Sequence, residues 1–202
     1  MKRDPQKTQE LILEAATKRF AVGGMAGARV DEIASDSGVN KRMIYHYFGD
    51  KQGLYAKVLQ VQMQQMFRDI RKPRSQTVDE QIREAIEAYF DYCRSNPAYI
   101  SIMQWEMVSK WSTLNSMAEE VGGELYTLLI EIINGGIREG VFHAETDARL
   151  FITLATIQVF CFFPMLYHPN LLHEGTAVPI SEAKVEDYKK KVVDQIMRSL
   201  EP

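Results

Sequence analysis

Between positions 30 and 48 the chain reads VDEIASDSGVNKRMIYHYF, and the spacing of three residues there constrains the fold more than any other feature. Ala34 is small enough for a second helix to cross it closely. Gly38 stands where a helix stop needs a positive φ, which glycine adopts at little cost. Ile44 anchors the following helix, with Val30, Ile33 and Val39 able to pack beneath it. The pattern predicts two short helices about a tight turn, over 30–37 and 41–47, the second capped by Asn40.

The second of these helices is expected to carry the chemistry. In a helix-turn-helix it enters the major groove with its N-terminal residues against base edges. Here it opens with Lys41 and Arg42, where the helix dipole and the unbonded N–H groups also favour phosphate. Lys41 is expected on phosphate. Arg42 is read either as a bidentate partner of guanine or as a backbone contact. Met43 offers an apolar contact to a thymine methyl, and Tyr45 a contact to backbone or base edge. His46 is placed near phosphate, Tyr47 either near phosphate or in packing, and Phe48 in the core. Lys51, opening the next helix, is expected to hold a second phosphate. Arg29 adds a contact, as do Lys7 and Thr8 near the start of the first helix. The implied partner is double-stranded DNA. Charge agrees: residues 1–60 hold ten Lys/Arg against seven Asp/Glu, on a chain whose formal net charge is -3.

The rest of the sequence reads as helix. No sustained two-residue alternation, hairpin signal or repeat of 20–50 residues occurs. Asp4-Pro5 starts a first helix, stopped at Gly23-Gly24, and Asp50 caps a long fourth one. Five more helices are expected at about 78–95, 97–111, 118–138, 146–167 and 182–200, with a loop over 169–180. The expected fold class is therefore all-α. Its domains are a helix-turn-helix domain over 1–50 and a helical effector-binding and dimerisation domain over 51–202. Cys93 and Cys161 fit neither a metal pattern nor a disulfide framework, and no apolar leader follows the first residues, so a cytoplasmic location is expected. No cofactor, metal site or enzymatic activity is expected, because no metal-ligand spacing, nucleophile elbow or phosphate loop occurs.

Two further groups stand out in the second half. Tyr89, Cys93, Met103, Trp105, Met107, Trp111 and Tyr126 are aromatic or sulfur-bearing residues suited to a deformable apolar cavity, or simply to a core. Gln104, Glu106 and Gln158 lie beside them as candidate partners for a polar ligand group. Residues 150–167, LFITLATIQVFCFFPMLY, carry no charge, which is the lower edge of membrane-span length. Thr153, Thr156, Gln158 and Pro164 argue for a buried or interface helix instead. Phe151, Leu154, Gln158, Phe162 and Met165 on that helix, with Val185, Tyr188, Val192 and Ile196 on the last, are the expected homodimer interface.

The stretch GARVDEIASDSGVNKRMIYHYFGDKQGLYAKVL resembles the N-terminal DNA-binding region of TetR-family transcriptional regulators, matching at Ile33, Ala34, Gly38, Val39, Lys41, Ile44, Tyr45, Tyr47, Phe48, Lys51 and Leu54. The resemblance implies a homodimer pairing through its last two helices. It also implies a C-terminal small-molecule site and a palindromic operator from which the effector releases a repressor. Three positions depart from the pattern: Ala28 stands where a capping Thr is common, Asn40 replaces Ser, and Gly53 lies in the first turn of the fourth helix. The competing reading is a helical ligand-binding adaptor that keeps the scaffold without binding DNA.

Overall fold

The computed structural model describes residues 4–70, 74–117, 123–166 and 180–202, and every regular element among them is an α-helix. In chain order these are α1 (Pro5–Gly27), α2 (Val30–Ser37), α3 (Lys41–Phe48), α4 (Lys51–Ile70), α5 (Val78–Ser95), α6 (Pro97–Val108), α7 (Ser112–Ser116), α8 (Gly123–Arg138), α9 (Ala148–Leu166) and α10 (Glu182–Arg198). The all-α class is as expected. The five-residue α7 is an addition: a turn after Val108 ends the helix expected over 97–111 early. The expected start of the helix over 118–138 and most of the loop over 169–180 lie outside the described residues.

The chain packs as two compact units, one of Met1–Gln65 with Pro97–Val121 and one of Met66–Asn96 with Gly122–Pro202. Helices α6 and α7 pack in the same unit as the helix-turn-helix.

In the first unit, Asp4 caps α1 by accepting from the Gln6 N–H at 3.0 Å, and Pro5 occupies the first helical position. Ile12, Ala16 and Phe20 form its fully buried stripe. Gly24 breaks the helix with φ 61 and ψ −172, three residues before its end. The break has a packing cause. The Trp105 ring of α6 lies against Gly24 so closely that an added Cβ would meet its Cδ2 at 2.8 Å, and the indole N–H donates to the Ala21 carbonyl at 3.3 Å. Phe20 meets Tyr55 of α4 edge-on, with ring centroids 4.8 Å apart.

In the second unit α5 is the hub, packing on α8, α9 and α10. Phe90 lies 5.6 Å from Phe162 and 4.9 Å from Phe163, and Phe162 meets Tyr188 of α10 at 5.8 Å. Ion pairs of Arg83 with Asp194 at 2.6 Å and of Lys189 with Asp91 at 2.7 Å fix α10 on α5. Gly136 of α8 is a close crossing, since a side chain there would collide with the Phe142 ring. By length and composition α9 is apolar enough to cross a membrane, but 33% of that window is buried and the helix is two-faced. Ala155, Val159 and Phe163 are buried, whereas Leu150, Leu154, Ile157 and Met165 are exposed.

Candidate nucleic-acid interface

The reading helix is set by three local devices. Gly38 ends α2 at φ 61, where its N–H reaches the Ala34 and Ser35 carbonyls. Asn40 then starts α3, its Oδ1 accepting from the Arg42 N–H at 2.8 Å. Ile44, fully buried, holds α3 down. One anchored residue per two turns fixes the opposite face outward. That face carries Arg42, Tyr45 and His46, all exposed, with Lys41 and Met43 half-buried at its margins. Tyr47 and Phe48 are half-buried and meet each other edge-on at 6.3 Å, so Phe48 is not the core residue expected.

The turn after α3 explains the glycine that departs from the family pattern. Gly49 takes φ 76. Asp50 caps α4 as expected, its Oδ1 accepting from the Gly53 N–H at 2.7 Å. This folds the Phe48 carbonyl back onto Gly53, where any Cβ would lie inside van der Waals contact of that oxygen.

Two of the expected cations already have partners within the chain. The Lys51 ammonium donates to the Ala26 and Ala28 carbonyls at 3.3 Å each, tying the start of α4 to the end of α1. Two of the three ammonium N–H groups are so engaged, with one left over. Lys41 Nζ lies 2.7 Å from Asp31 Oδ1 and 5.9 Å from the Tyr45 ring centroid. The Asp31 hydrogen bond raises the Lys41 pKa above the usual lysine value. Arg29 is exposed at the start of α2, and its side chain makes no capping bond. Thr8, expected near DNA, is buried and donates to the Asp4 carbonyl at 2.9 Å.

Sequence reasoning missed Arg19. Its guanidinium grips Asp36 through Nε at 2.6 Å and Nη2 at 3.0 Å and reaches Glu32 at 3.1 Å. This fork fixes α2 on α1, and it holds the Asp36 carboxyl below the usual range. An arginine 17 residues from its partner leaves no local spacing signal. The Asp31–Lys41 pair, which joins two successive helices, was also missed.

The residues expected around an effector are divided between the two compact units. Met103, Trp105, Met107 and Trp111 fall in the first compact unit, and Tyr89, Cys93, Tyr126 and Gln158 in the second. Met103 is buried; Trp105 packs on α1; Met107 and Trp111 are exposed. Tyr89 hydrogen-bonds Cys93, both buried, and burial pushes the Cys93 thiol up to about 12. The Tyr126 hydroxyl donates to the Arg149 carbonyl at 3.4 Å, and Gln158 is exposed on α9. Glu106, read as a ligand partner, is 1% exposed and instead accepts from the Thr113 and Leu114 N–H groups at 3.2 and 3.1 Å and from the Tyr55 hydroxyl. Among the expected interface residues, Phe151, Val185 and Ile196 are buried inside the chain. Leu154, Gln158 and Met165 are exposed, and Phe162, Tyr188 and Val192 are half-buried. Among the described residues no group of His, Cys, Asp and Glu could hold a metal.

Residues 12–58 match the family described as bacterial regulatory proteins, tetR family, and residues 79–198 match the tetracyclin repressor-like C-terminal domain. The chain is 33% identical to the HTH-type transcriptional repressor SCO4008 of Streptomyces coelicolor, over 72% of this chain and 71% of that protein. It is 27% identical to the HTH-type transcriptional repressor NicS of Pseudomonas putida, over 96% and 92%. Its fold is similar to that of SCO4942 from Streptomyces coelicolor, described as a putative transcriptional regulator, with TM-score 0.73 and 19% identity over 96% of this chain and 99% of that one. SCO4008 and NicS are named as transcriptional repressors, which favours DNA binding over the adaptor reading. An outward basic and aromatic helix face on a capped helix-turn-helix, joined to a matching C-terminal domain, makes this chain a member of the tetR family: a DNA-binding transcriptional regulator with a ligand-binding C-terminal domain.

Proposed function

We propose that the chain is a cytoplasmic homodimeric repressor, released from a palindromic operator by a small, largely apolar molecule. The observation that carries this reading is the face of α3. Arg42, Tyr45 and His46 point away from a single buried anchor, Ile44, and Lys41 stands at the groove end of the helix. Arg42 reads a base, and Lys41 and Arg29 meet phosphate. Two such heads in a dimer read half-sites about one helical turn apart, or a multiple of it.

The dimer forms through the exposed stripe of α9, with Tyr188 and Val192 of α10 at its margin. Leu150, Leu154, Ile157, Cys161 and Met165 recur at intervals of three or four residues, so they share one face. Two repressors among the relatives support the direction of regulation. The effector acts by population shift, binding more tightly to the dimer whose head spacing does not fit the operator.

The test is selection of sheared genomic DNA by the purified protein at fixed, near-physiological salt, followed by sequencing. Enrichment of a palindrome supports the reading. A folded, dimeric protein that enriches nothing refutes it.

A further inference from the structure

Lys41 stands where a phosphate is expected, yet its ammonium already has an anionic partner. Nζ lies 2.7 Å from Oδ1 of Asp31, in the first turn of α2. The side chains are 43% and 71% exposed, so the pair lies open to solvent where α2 and α3 begin. Nothing buries it, and a competing anion can reach it.

We propose that Asp31 is an intramolecular competitor for the phosphate that Lys41 meets on DNA, and thereby sets the affinity of the reading head. The inference rests on the placing of Lys41 at phosphate given above. On docking, Lys41 exchanges one anion for another, so its net gain is smaller than that of an unpaired lysine. Asp31 is left without its cation next to a polyanion, and it recruits a cation from solution. That uptake offsets part of the counter-ion release from the duplex. The salt dependence is then shallower than the number of phosphate contacts alone would give. A carboxylate in a first helical turn also favours the helix dipole. The two roles have opposite signatures: losing the dipole partner loosens α2 and weakens binding, whereas losing the competitor strengthens it.

The experiment titrates the full-length protein onto a fluorescein-labelled duplex of random sequence between about 50 and 200 mM salt. Wild type, Asp31→Asn, Lys41→Ala and the double variant are compared, with circular dichroism to check the fold. Asp31→Asn is expected to bind about two- to five-fold tighter, the range set by an exposed ion pair. Its salt slope steepens by up to about 0.9 per head. In the Lys41→Ala background the same substitution has no effect. Asp31→Glu, which keeps the charge, stays with wild type, and Asp31→Ser, which removes it, follows Asp31→Asn. Unchanged or weaker binding by a folded Asp31→Asn overturns the inference. So does an equal gain in the Lys41→Ala background, which would mean general repulsion and not competition for Lys41. A salt slope that Lys41→Ala leaves unchanged in the Asp31→Asn background, where nothing offsets the release, overturns the phosphate role of Lys41 itself, and the inference with it.

Discussion

Arg42 illustrates how little of a side chain's role its identity settles. It is exposed on the outward face of α3, and its backbone N–H is held by Asn40, so the guanidinium alone remains to act. Arg42→Ala should relax preference at one base pair per half-site, costing about 1–3 kcal/mol of discrimination there. A binding profile across operator variants that stays unaltered would remove the base-reading role. Gly53 gives a sharper contest between two effects. Helix propensity alone makes Gly53→Ala stabilising by about 1 kcal/mol. The added Cβ, however, runs into the Phe48 carbonyl, a backbone atom that cannot swing away. Overpacking of this kind typically costs about 1–3 kcal/mol, so the expected sign is destabilising. A rise in midpoint on urea unfolding would show the turn to be looser than drawn. Cys93 gives a pH signature. Burial raises its thiol to about 12 in the folded chain, whereas the unfolded thiol ionises near its ordinary value. The folded state therefore holds its proton longer. The resulting stability is fully present below the unfolded pKa and is lost as pH rises through the folded one. Between pH 9 and 12 this group contributes a fall of at most about 1.4 kcal/mol per pH unit. Cys93→Ala should lack that component, so its deficit relative to wild type shrinks as pH rises. A deficit constant with pH would show the thiol to titrate normally.

At the scale of elements, the corner between α6 and α7 depends on one residue. Lys110 and Trp111 both take φ 59, a left-handed conformation that costs a side-chain-bearing residue about 1–2 kcal/mol each. Glu106 offsets that strain from both ends. Its carbonyl accepts from the Trp111 N–H at 2.7 Å, and its carboxylate accepts from two N–H groups at the start of α7. The same carboxylate receives the Tyr55 hydroxyl, and burial with that neighbouring charge raises the tyrosine pKa well above its usual value. Glu106→Ala leaves these donors without an acceptor, at an expected cost of about 2–4 kcal/mol in chemical unfolding. Glu106→Gln, which keeps an acceptor oxygen but not the charge, should fall between. An alanine variant as stable as wild type would mean that the corner holds without the carboxylate. None of this was visible in the sequence, where Glu106 is one acid in an aromatic and methionine-rich run. Helix starts and stops were legible because caps act over two or three residues: Asp4, Gly38, Asn40 and Asp50 each do what their position suggests. Lys51 was not legible, because its partners lie 23 and 25 residues away in sequence.

Over the whole molecule, the same distinction separates what periodicity reveals from what tertiary partners decide. The helix-turn-helix was readable because each of its parts is local. A run of aromatics, by contrast, carries no information about which compact unit will claim each ring: Trp105 packs on α1, and Tyr89 bonds Cys93. The uncharged run announced a helix apolar all round, but only packing on α5 and α8 shows which side remains. Phe151 is used up inside the chain, whereas Leu150, which sequence reasoning left out, is 55% exposed. In the proposed dimer, this stripe makes dimerisation and DNA binding one property. A single head gains only its own contacts. A dimer makes the second head's docking intramolecular, a gain of about 10²–10⁴ when the spacing fits. Leu154→Glu with Ile157→Glu places two charges on the exposed stripe, where substitution in the monomer costs no more than about 0.5 kcal/mol each. The chain should therefore stay folded, elute as a monomer by light scattering, and lose about 10²–10⁴ in operator affinity. Its affinity for random duplex, counted per head, should change far less. A double variant that remains a dimer would place the interface elsewhere. A monomer that still binds operator tightly would mean that one reading head suffices.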